Sequence, residues 1–589
     1  MDAKASGGTP GKDGEESHGV EADLACLAKE GCLDRLVAVV AGAAKRQAAE
    51  NMAQLKQLAR IGLALSGQTD MDRLLEMIVD EARRLAHADA GTLYIVSPER
   101  SHLLFVILQN ETMNTRMGGT TGTAIKLPPV PLAGDDGGEN HANVSSHVAL
   151  SGEIVNIPDV YEADGFDFTG PRKYDAATGY RSRSMLVIPM RNHENEIIGV
   201  LQLLNAKDAG SGEVRAFDRE REDLVASLAS QAAVALTNAQ LVRDLRALLD
   251  SFIQSIAAAI DAKSPYTAGH ISRVVELTML IAEKINQDQT GPFKDVRLSA
   301  AELEELSLAA WMHDVGKIVT PEHVVDKSTK LEAIFDRSEL VKTRFRLFMQ
   351  AADARYAREQ LREVSACEGA RCEELEVGLA AARQRYEARI KELREDRDFI
   401  LACNTAFMDE AKLARLKELA AKTCTVDGEE ISYLTENEAY NLSIAKGTLN
   451  AEDRAVIENH ARMTQEMLSR LPFPKRLARV PQFAGSHHEK LDGTGYPNHL
   501  TAKDVPLQAR ILAVADIFEA LTAKDRPYKK PMPLSQAVKI LGFMEKDKHI
   551  DADVLRLFFD SGACLEYAAK QLSPEQIDDI ASGAAPAKG

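Results

Sequence analysis

The sequence predicts a multi-domain chain: an N-terminal α+β domain with an antiparallel sheet and helices, followed by an all-α domain that carries a long helical-hairpin insertion. Three observations predict it. The 589 residues exceed what one hydrophobic core organises, since domains run to about 100–200 residues and single cores stop growing near about 250–300. Residues 60–245 alternate helix and strand signals, with two strands separated by a short polar turn. From Asp250 onward the apolar periodicity is helical nearly throughout, without strand signals.

Taken in order, residues 1–22 are rich in Gly, Ser, Lys and Glu and read as a disordered tail, and residues 23–59 carry helical spacing. In 60–245, MDRLLEMIVDEARRLAHA reads as a helix, GTLYIVSP and LLFVILQN as strands, and the Gly/Pro-rich MGGTTGTAIKLPPVPLAGDDGGENHANV as a loop. RSMLVIPMRN and EIIGVLQLLN are two further strands joined by HENE. A helix beginning at Asp218 closes this domain and runs on to about Asp261, long enough to carry a dimer seam into residues 250–560. Within that second domain, residues 332–445 are Ala-, Arg- and Glu-rich and Pro-free along their helical runs, and read as long helices folding back on each other. Residues 561–589 read as a C-terminal tail.

The composition, 45% apolar and 27% charged, is that of folded protein, and 71 basic against 89 acidic residues give a net charge of −18. That charge repels the backbone of polymeric nucleic acid, whereas a small anion could still bind where positive charge is concentrated. The longest apolar run, Leu36 to Ala44, ends at Lys45 and Arg46, so no membrane span is expected, and the N-terminus lacks a signal-peptide pattern. A cytoplasmic location is therefore expected. The seven cysteines are scattered without a CxxC pair, which speaks against thiolate metal sites and disulfides.

The chemistry is concentrated in the second domain. His270 lies in YTAGHISRV, His313 and Asp314 in AAWMHDVGK, His460 in ENHARM, His487 and His488 in HHEKLDGTGYP, and Asp516 in ILAVADIFEALT. Several of these clusters sit inside apolar stretches, where an ionisable group costs several kcal/mol unless it is paired or metal-bound. Five histidines and two aspartates are more donors than one ion accepts while leaving room for water and substrate, so two carboxylate-bridged ions fit better. Imidazole with carboxylate and no thiolate suits iron, manganese or zinc. Such a pair supplies phosphoester hydrolysis, and Lys317, four residues after His313, is placed to contact a phosphate.

These residues resemble the HD-GYP family, all-helical metal enzymes that hydrolyse the bacterial second messenger cyclic di-GMP. The resemblance rests on HISR at 270–273, HDVGK at 313–317, His460, HHEKLDGTGYP at 487–497 and ADIFEALTAKDRPYKK at 515–530. It implies that His270, His313, Asp314 and Asp516 ligate a first ion, with Asp314 bridging to a second held by His460, His487 and His488. Iron or manganese is the expected metal. Lys317 is similar to the family's phosphate-contacting lysine, Gly493, Gly495, Tyr496 and Pro497 to its substrate-groove loop, and Arg526 and Lys529 to contacts on the dinucleotide phosphates. The sequence departs from the family at Tyr266, where members with a third metal have Glu; in one extra residue before RPYK; and in the 332–445 insertion, placed between the lysine motif and GTLNAEDRAVIENH.

The first domain resembles a GAF domain, a small-molecule sensor, through GYRSRSMLVIPMRNHENEIIGVLQLLNAKDAGSGEVRAFDRE at 179–220. Asn205, Phe217 and Asp218 partly echo the NKFDE signature of cyclic-nucleotide-binding members, with Ala206 in place of the Lys, and no cysteine in 60–245 could tether a bilin. The expected function is hydrolysis of cyclic di-GMP to pGpG and on to GMP, regulated by the GAF domain, with two alternatives: turnover of another cyclic dinucleotide such as cyclic GMP-AMP, or a non-catalytic receptor or scaffold. Expected partners are the cyclic dinucleotide, a second copy of the chain joined through the 218–261 helix, and a signalling protein at the 493–497 loop or the insertion.

Overall fold

The computed structural model describes residues 32–134, 137–208, 210–263, 269–366, 372–523 and 531–578. The tail expected at 1–22, Tyr266, and Arg526 with Lys529 lie outside them. The chain forms two compact units, which divide at Leu248/Leu249.

In the first unit, α1 (Cys32–Gly67) and α2 (Met71–Ala86) precede a sheet of β1 (Ala88–Val96), β2 (His102–Asn110), β3 (Thr115–Gly118), β4 (Val130–Pro131), β5 (Val155–Ile157), β6 (Met185–Arg191), β7 (Ile197–Lys207) and β8 (Val214–Arg215). The order is β3-β2-β1-β7-β6-β5, with β4 on β2 and β8 on β7, and every pair is antiparallel. Asp70 caps α2 by accepting from the amides of Asp72 and Arg73, and α2 buries Leu74, Ile78, Val79 and Ala82 at helical spacing. Strand alternation divides the sheet's side chains between two cores. Leu186, Ile188, Leu201 and Leu203 pack with α1, α2 and α5 (Arg219–Asp261), whereas Met185, Val187 and Val200 pack with Val144, Val148 and Phe168 on the other face. The β6–β7 turn is held by Asn192, whose Oδ1 accepts from the amides of Glu194 at 3.0 Å and Glu196 at 2.9 Å.

Six short elements in this unit, β3, β4, α3 (Val144–Ser151), β5, α4 (Thr169–Thr178) and β8, escape the sequence reading, because none is long enough to show a period; β4 lies inside the stretch read as a loop. Among the described residues one helix, α5, is long and apolar enough by composition to cross a membrane, with mean hydropathy 1.2 over 18 residues. The expectation of no such stretch counted only unbroken apolar runs. Leu224 to Val242 is uncharged although Ser, Gln, Thr and Asn interrupt it, and its Val225, Leu228, Ala232 and Leu236 are buried in the sheet-facing core.

The second unit contains α6 (His270–Gln287), α7 (Ala300–Met312), a 3₁₀ turn (Val315–Val319), α8 (Glu322–Val325), α9 (Ser338–Ala366), α10 (Cys372–Cys403) and α11 (Glu410–Ala420). After β9 (Thr423–Val426) and β10 (Glu429–Ser432) come α12 (Glu436–Leu442), α13 (Ala451–Ser469), α14 (Val480–Gly485), α15 (Leu507–Thr522), α16 (Leu534–Lys546), α17 (Ala552–Asp560) and α18 (Ala563–Gln571). Its main core joins Val274 and Ile281 of α6, Leu306 and Ala310 of α7, Phe483 of α14, Leu512 and Phe518 of α15, and Phe558 of α17.

The insertion has a core of its own, built from Phe345, Phe348, Leu393, Ile400, Met408, Leu416, Tyr433 and Leu442. α9 and α10 run antiparallel: Asp353 accepts from the Tyr386 hydroxyl at 2.7 Å, and Glu359 pairs with Arg385 nearer the tip. Its ends return to one place, where the Thr448 hydroxyl donates to the Lys327 carbonyl at 2.9 Å and Lys327 Nζ reaches Asp453 at 2.6 Å.

Two expectations are corrected here. β9 and β10 form a hairpin in a region read as free of strands, turning on Asp427 and Gly428, both at positive φ, as a two-residue hairpin requires. Residues 561–589 are not simply a tail: α18 buries Ala563, Cys564, Tyr567 and Ala568 at helical spacing, and Gln576 donates to the carbonyls of Thr522 and Met532.

Candidate metal centre

Five segments of the second unit converge. His270 opens α6 after Gly269, which adopts φ +74°. His313 and Asp314 end α7 at the start of the 3₁₀ turn, His460 sits in α13, His487 and His488 follow α14, and Asp516 lies on α15. The turn fits against α13 because residue 316 is glycine. A Cβ there would come within 2.0 Å of the His460 carbonyl oxygen. Thr464 stitches the same contact: it accepts from the Gly316 amide at 3.0 Å and donates to the His313 carbonyl at 2.9 Å.

The histidines are oriented by one repeated device. His313, His460 and His487 each direct Nδ1 to the carbonyl three residues earlier, Ala310 at 2.7 Å, Ile457 at 2.5 Å and Ala484 at 2.6 Å. A proton held on Nδ1 leaves Nε2 with a bare lone pair. All three Nε2 atoms are buried and make no hydrogen bond. Buried polar atoms are normally satisfied, so three bare nitrogens converging on carboxylates form a set that a cation completes.

The donors fall into two groups, His270 with His313 and Asp314, and His460 with His487 and His488, each with its ligand atoms within 4.8 Å of one another. Either group could hold a divalent ion. Asp314 faces both. Its Oδ2 lies 3.6 Å from His270 Nε2 and 3.3 Å from His313 Nε2, and its Oδ1 lies 3.5 Å from His460 Nε2. Asp516 Oδ1 is 3.3 Å from His270 Nε2. Lys317 Nζ donates to Asp314 Oδ2 at 2.6 Å.

Burial and charge set the protonation of this shell. Burial, reinforced by neighbouring imidazoles, lowers His487 well below the usual histidine range and His488 to about 3, and burial lowers His460. These rings are neutral at physiological pH, the form that ligates metal. Burial also opposes charge on His270 and His313, but Asp314 and Asp516, joined at His270 by Glu519, outweigh it. They raise His270 well above and His313 above the usual histidine range, so an ion bound by these two rings displaces a proton from each. Burial would raise Asp314, yet Lys317 and His313 beside it hold it well below the carboxylate range. Lys317 in turn stays an ammonium, because Asp314 overcomes its burial.

All seven predicted ligand residues and Lys317 thus lie in one cluster. The sequence reading missed Glu519. It is buried, and its carboxylate contacts His270 Nδ1 with one oxygen and accepts from Arg273 Nε with the other at 2.7 Å. The available signal was its spacing, three residues after Asp516 on one helix face. The 493–497 loop turns tightly: Gly493 has φ +83°, and a Cβ on Gly495 would meet the Lys490 amide nitrogen at 2.2 Å. Glu489 braces the loop by accepting from the amides of Asn498 at 2.6 Å and Leu500 at 2.9 Å. The Tyr496 ring is thereby set 4.9 Å from that of His488.

In the first unit, a cavity of about 500 Å³ between the sheet and its covering loops is lined by Tyr94, Phe105, Tyr174, Tyr180 and Gln202, with no Lys or Arg among its described lining residues. The residues that echo NKFDE do structural work. Asn205 accepts from the Arg183 amide at 2.7 Å and donates to the Arg181 carbonyl at 2.8 Å, Phe217 is buried in the core, and Asp218 accepts from the Arg221 amide at 2.9 Å.

A GAF domain family model matches residues 70–236, and HD domain models match 267–403 and 436–554. The chain carries a GAF domain and an HD domain. The second HD match starts at Glu436, after the insertion's hairpin strands, and contains four of the seven candidate ligand residues. Two 3′3′-cGAMP-specific phosphodiesterases of Vibrio cholerae are similar to the chain. Phosphodiesterase 3 is 42% identical over 107 residues, 18% of this chain and 22% of that protein, and phosphodiesterase 2 is 38% identical over 115 residues, 19% and 21%. A cyclic di-GMP phosphodiesterase of Thermotoga maritima is 38% identical over 93 residues, 16% of this chain and 25% of that protein. The chain spans about a quarter of the length of these curated relatives.

Proposed function

We propose that the chain is a metal-dependent phosphodiesterase of cyclic dinucleotides, of the HD-GYP kind, with cyclic di-GMP as substrate, pGpG as first product and GMP as the product of a second cut. The observation that carries this reading is the set of three buried imidazole nitrogens without a hydrogen bond, two of them, on His313 and His460, beside the two oxygens of the Asp314 carboxylate and the third, on His487, grouped with His460 and His488. His270, His313, Asp314 and Asp516 would hold one ion, and Asp314, His460, His487 and His488 a second. Iron and manganese suit this thiolate-free donor set. When bound, two such ions make hydroxide available at neutral pH and neutralise phosphate charge.

The chain's own groups support the same chemistry. Lys317 keeps a proton on Nζ beside Asp314, placed to meet a phosphate oxygen or the leaving 3′-oxygen. Tyr496, aimed by the glycines of its loop, offers a ring against which a base can lie. Arg526 and Lys529 are assigned to the substrate phosphates on the resemblance of RPYK alone. In the GAF domain the cavity of about 500 Å³ is large enough for a regulatory small molecule.

A second reading, hydrolysis of 3′3′-cyclic GMP-AMP, is favoured by the names of the two Vibrio cholerae relatives. Protein reconstituted with manganese and given both substrates in parallel separates the two: the proposal expects cyclic di-GMP to be cut faster, and Asp314→Ala to lose at least about a thousandfold in rate. Preferential cutting of cyclic GMP-AMP would select the second reading. Binding of either substrate without product would select a receptor.

A further inference from the structure

We infer that the insertion carries a second small-molecule site, separate from the metal centre, whose ligand is a mononucleotide: a phosphate joined to a planar base. A cavity of about 410 Å³ opens between α9, α10 and β9. That volume falls in the range of small-ligand sites. Tyr356 and Tyr386 stack at one side, ring centroids 4.6 Å apart and planes 12° from parallel, and Asp353 fixes the Tyr386 hydroxyl. A flat aromatic wall of this kind accepts any base by its π-face.

Three guanidinium groups line the same cavity, Arg355, Arg385 and Arg389, against one lining carboxylate, Glu359. Arg355 and Arg385 share Glu359, each at 3.5 Å, so neither has a short, dedicated partner there. Arg389 is positioned instead: it donates to Glu392 at 2.7 Å and to the Tyr433 hydroxyl at 3.0 Å. Glu392 answers the charge of Arg389, so Arg355 and Arg385 against Glu359 leave one positive charge, which a phosphate held by their forked donors would offset. In a chain of net charge −18 this local excess runs against the overall field. None of the cavity's lining residues belongs to the metal centre, so the inference stands apart from the proposed hydrolysis.

The test is calorimetric titration of the full chain carrying His487→Ala, which disables the metal centre, with GMP and separately with inorganic phosphate. Saturable GMP binding is expected, tighter than that of phosphate and weakened at least about tenfold by Arg385→Glu. Arg385 is 62% exposed, so that variant should fold, and circular dichroism checks it. Arg389→Lys, which keeps the charge and loses the fork, should weaken GMP in the same direction. The inference is overturned by no binding at about 1 mM GMP, by unchanged affinity in Arg385→Glu, or by GMP binding that the parent chain shows in the same titration and His487→Ala lacks.

Discussion

A histidine offers a metal its lone pair only where the other ring nitrogen keeps the proton. In this chain three peptide carbonyls do that for His313, His460 and His487, and a carboxylate, Glu519, does it for His270. Glu519 also holds Arg273, so its two oxygens tie the start of α6 to α15. Replacing it with Gln keeps the volume and removes the charge that supports His270. Such partners typically contribute 10–100-fold to metal affinity, and Glu519→Gln should lose affinity by about that factor in a competition titration against a chelator, while melting as a folded protein. Unchanged affinity would mean that the His270–Glu519 contact does not tune a ligand. At this scale the clustering of the candidate ligands was legible, because short strings such as HDVGK and HHEKLDGTGYP place imidazole and carboxylate in otherwise apolar surroundings. Glu519 was not, since one more carboxylate on a helix has no pattern until folding puts it beside His270.

Between elements, the centre depends on the close approach of the 3₁₀ turn to α13. Gly316→Ala would drive a methyl group into the His460 carbonyl and force α13 outward. The expected cost is about 1–3 kcal/mol of stability by denaturant unfolding, with a larger proportional loss of metal binding, because His460 moves with its helix. A variant as stable and as metal-loaded as the parent would contradict this account of the turn. The elements that escaped the sequence were short or unusual in context. α3, β5 and α4 span too few residues for a period, and the β9–β10 hairpin was hidden by the helices around it, although Asp427-Gly428 is a strong turn signal. Periodicity found α9 and α10 but not the insertion's separate core, which gathers Phe345, Leu393, Tyr433 and Leu442 from four distant segments.

Over the whole molecule, the continuous α5 helix of 43 residues leaves Leu241, Leu245, Leu248 and Phe252 at least 55% exposed. Their spacing of four, three and four is that of a coiled-coil seam, so the proposed occupant is the same helix of a second copy. Light scattering should give twice the chain mass, and Leu245→Asp with Leu248→Asp should return a monomer. A monomeric parent at micromolar concentration would remove the dimer. The central claim is a two-metal centre, and metal analysis of protein purified without oxygen tests it most directly. The account predicts about two divalent ions per chain, chiefly iron or manganese, falling to about one or fewer in His487→Ala. A parent protein that retains no divalent ion, even after manganese reconstitution and desalting, would contradict it.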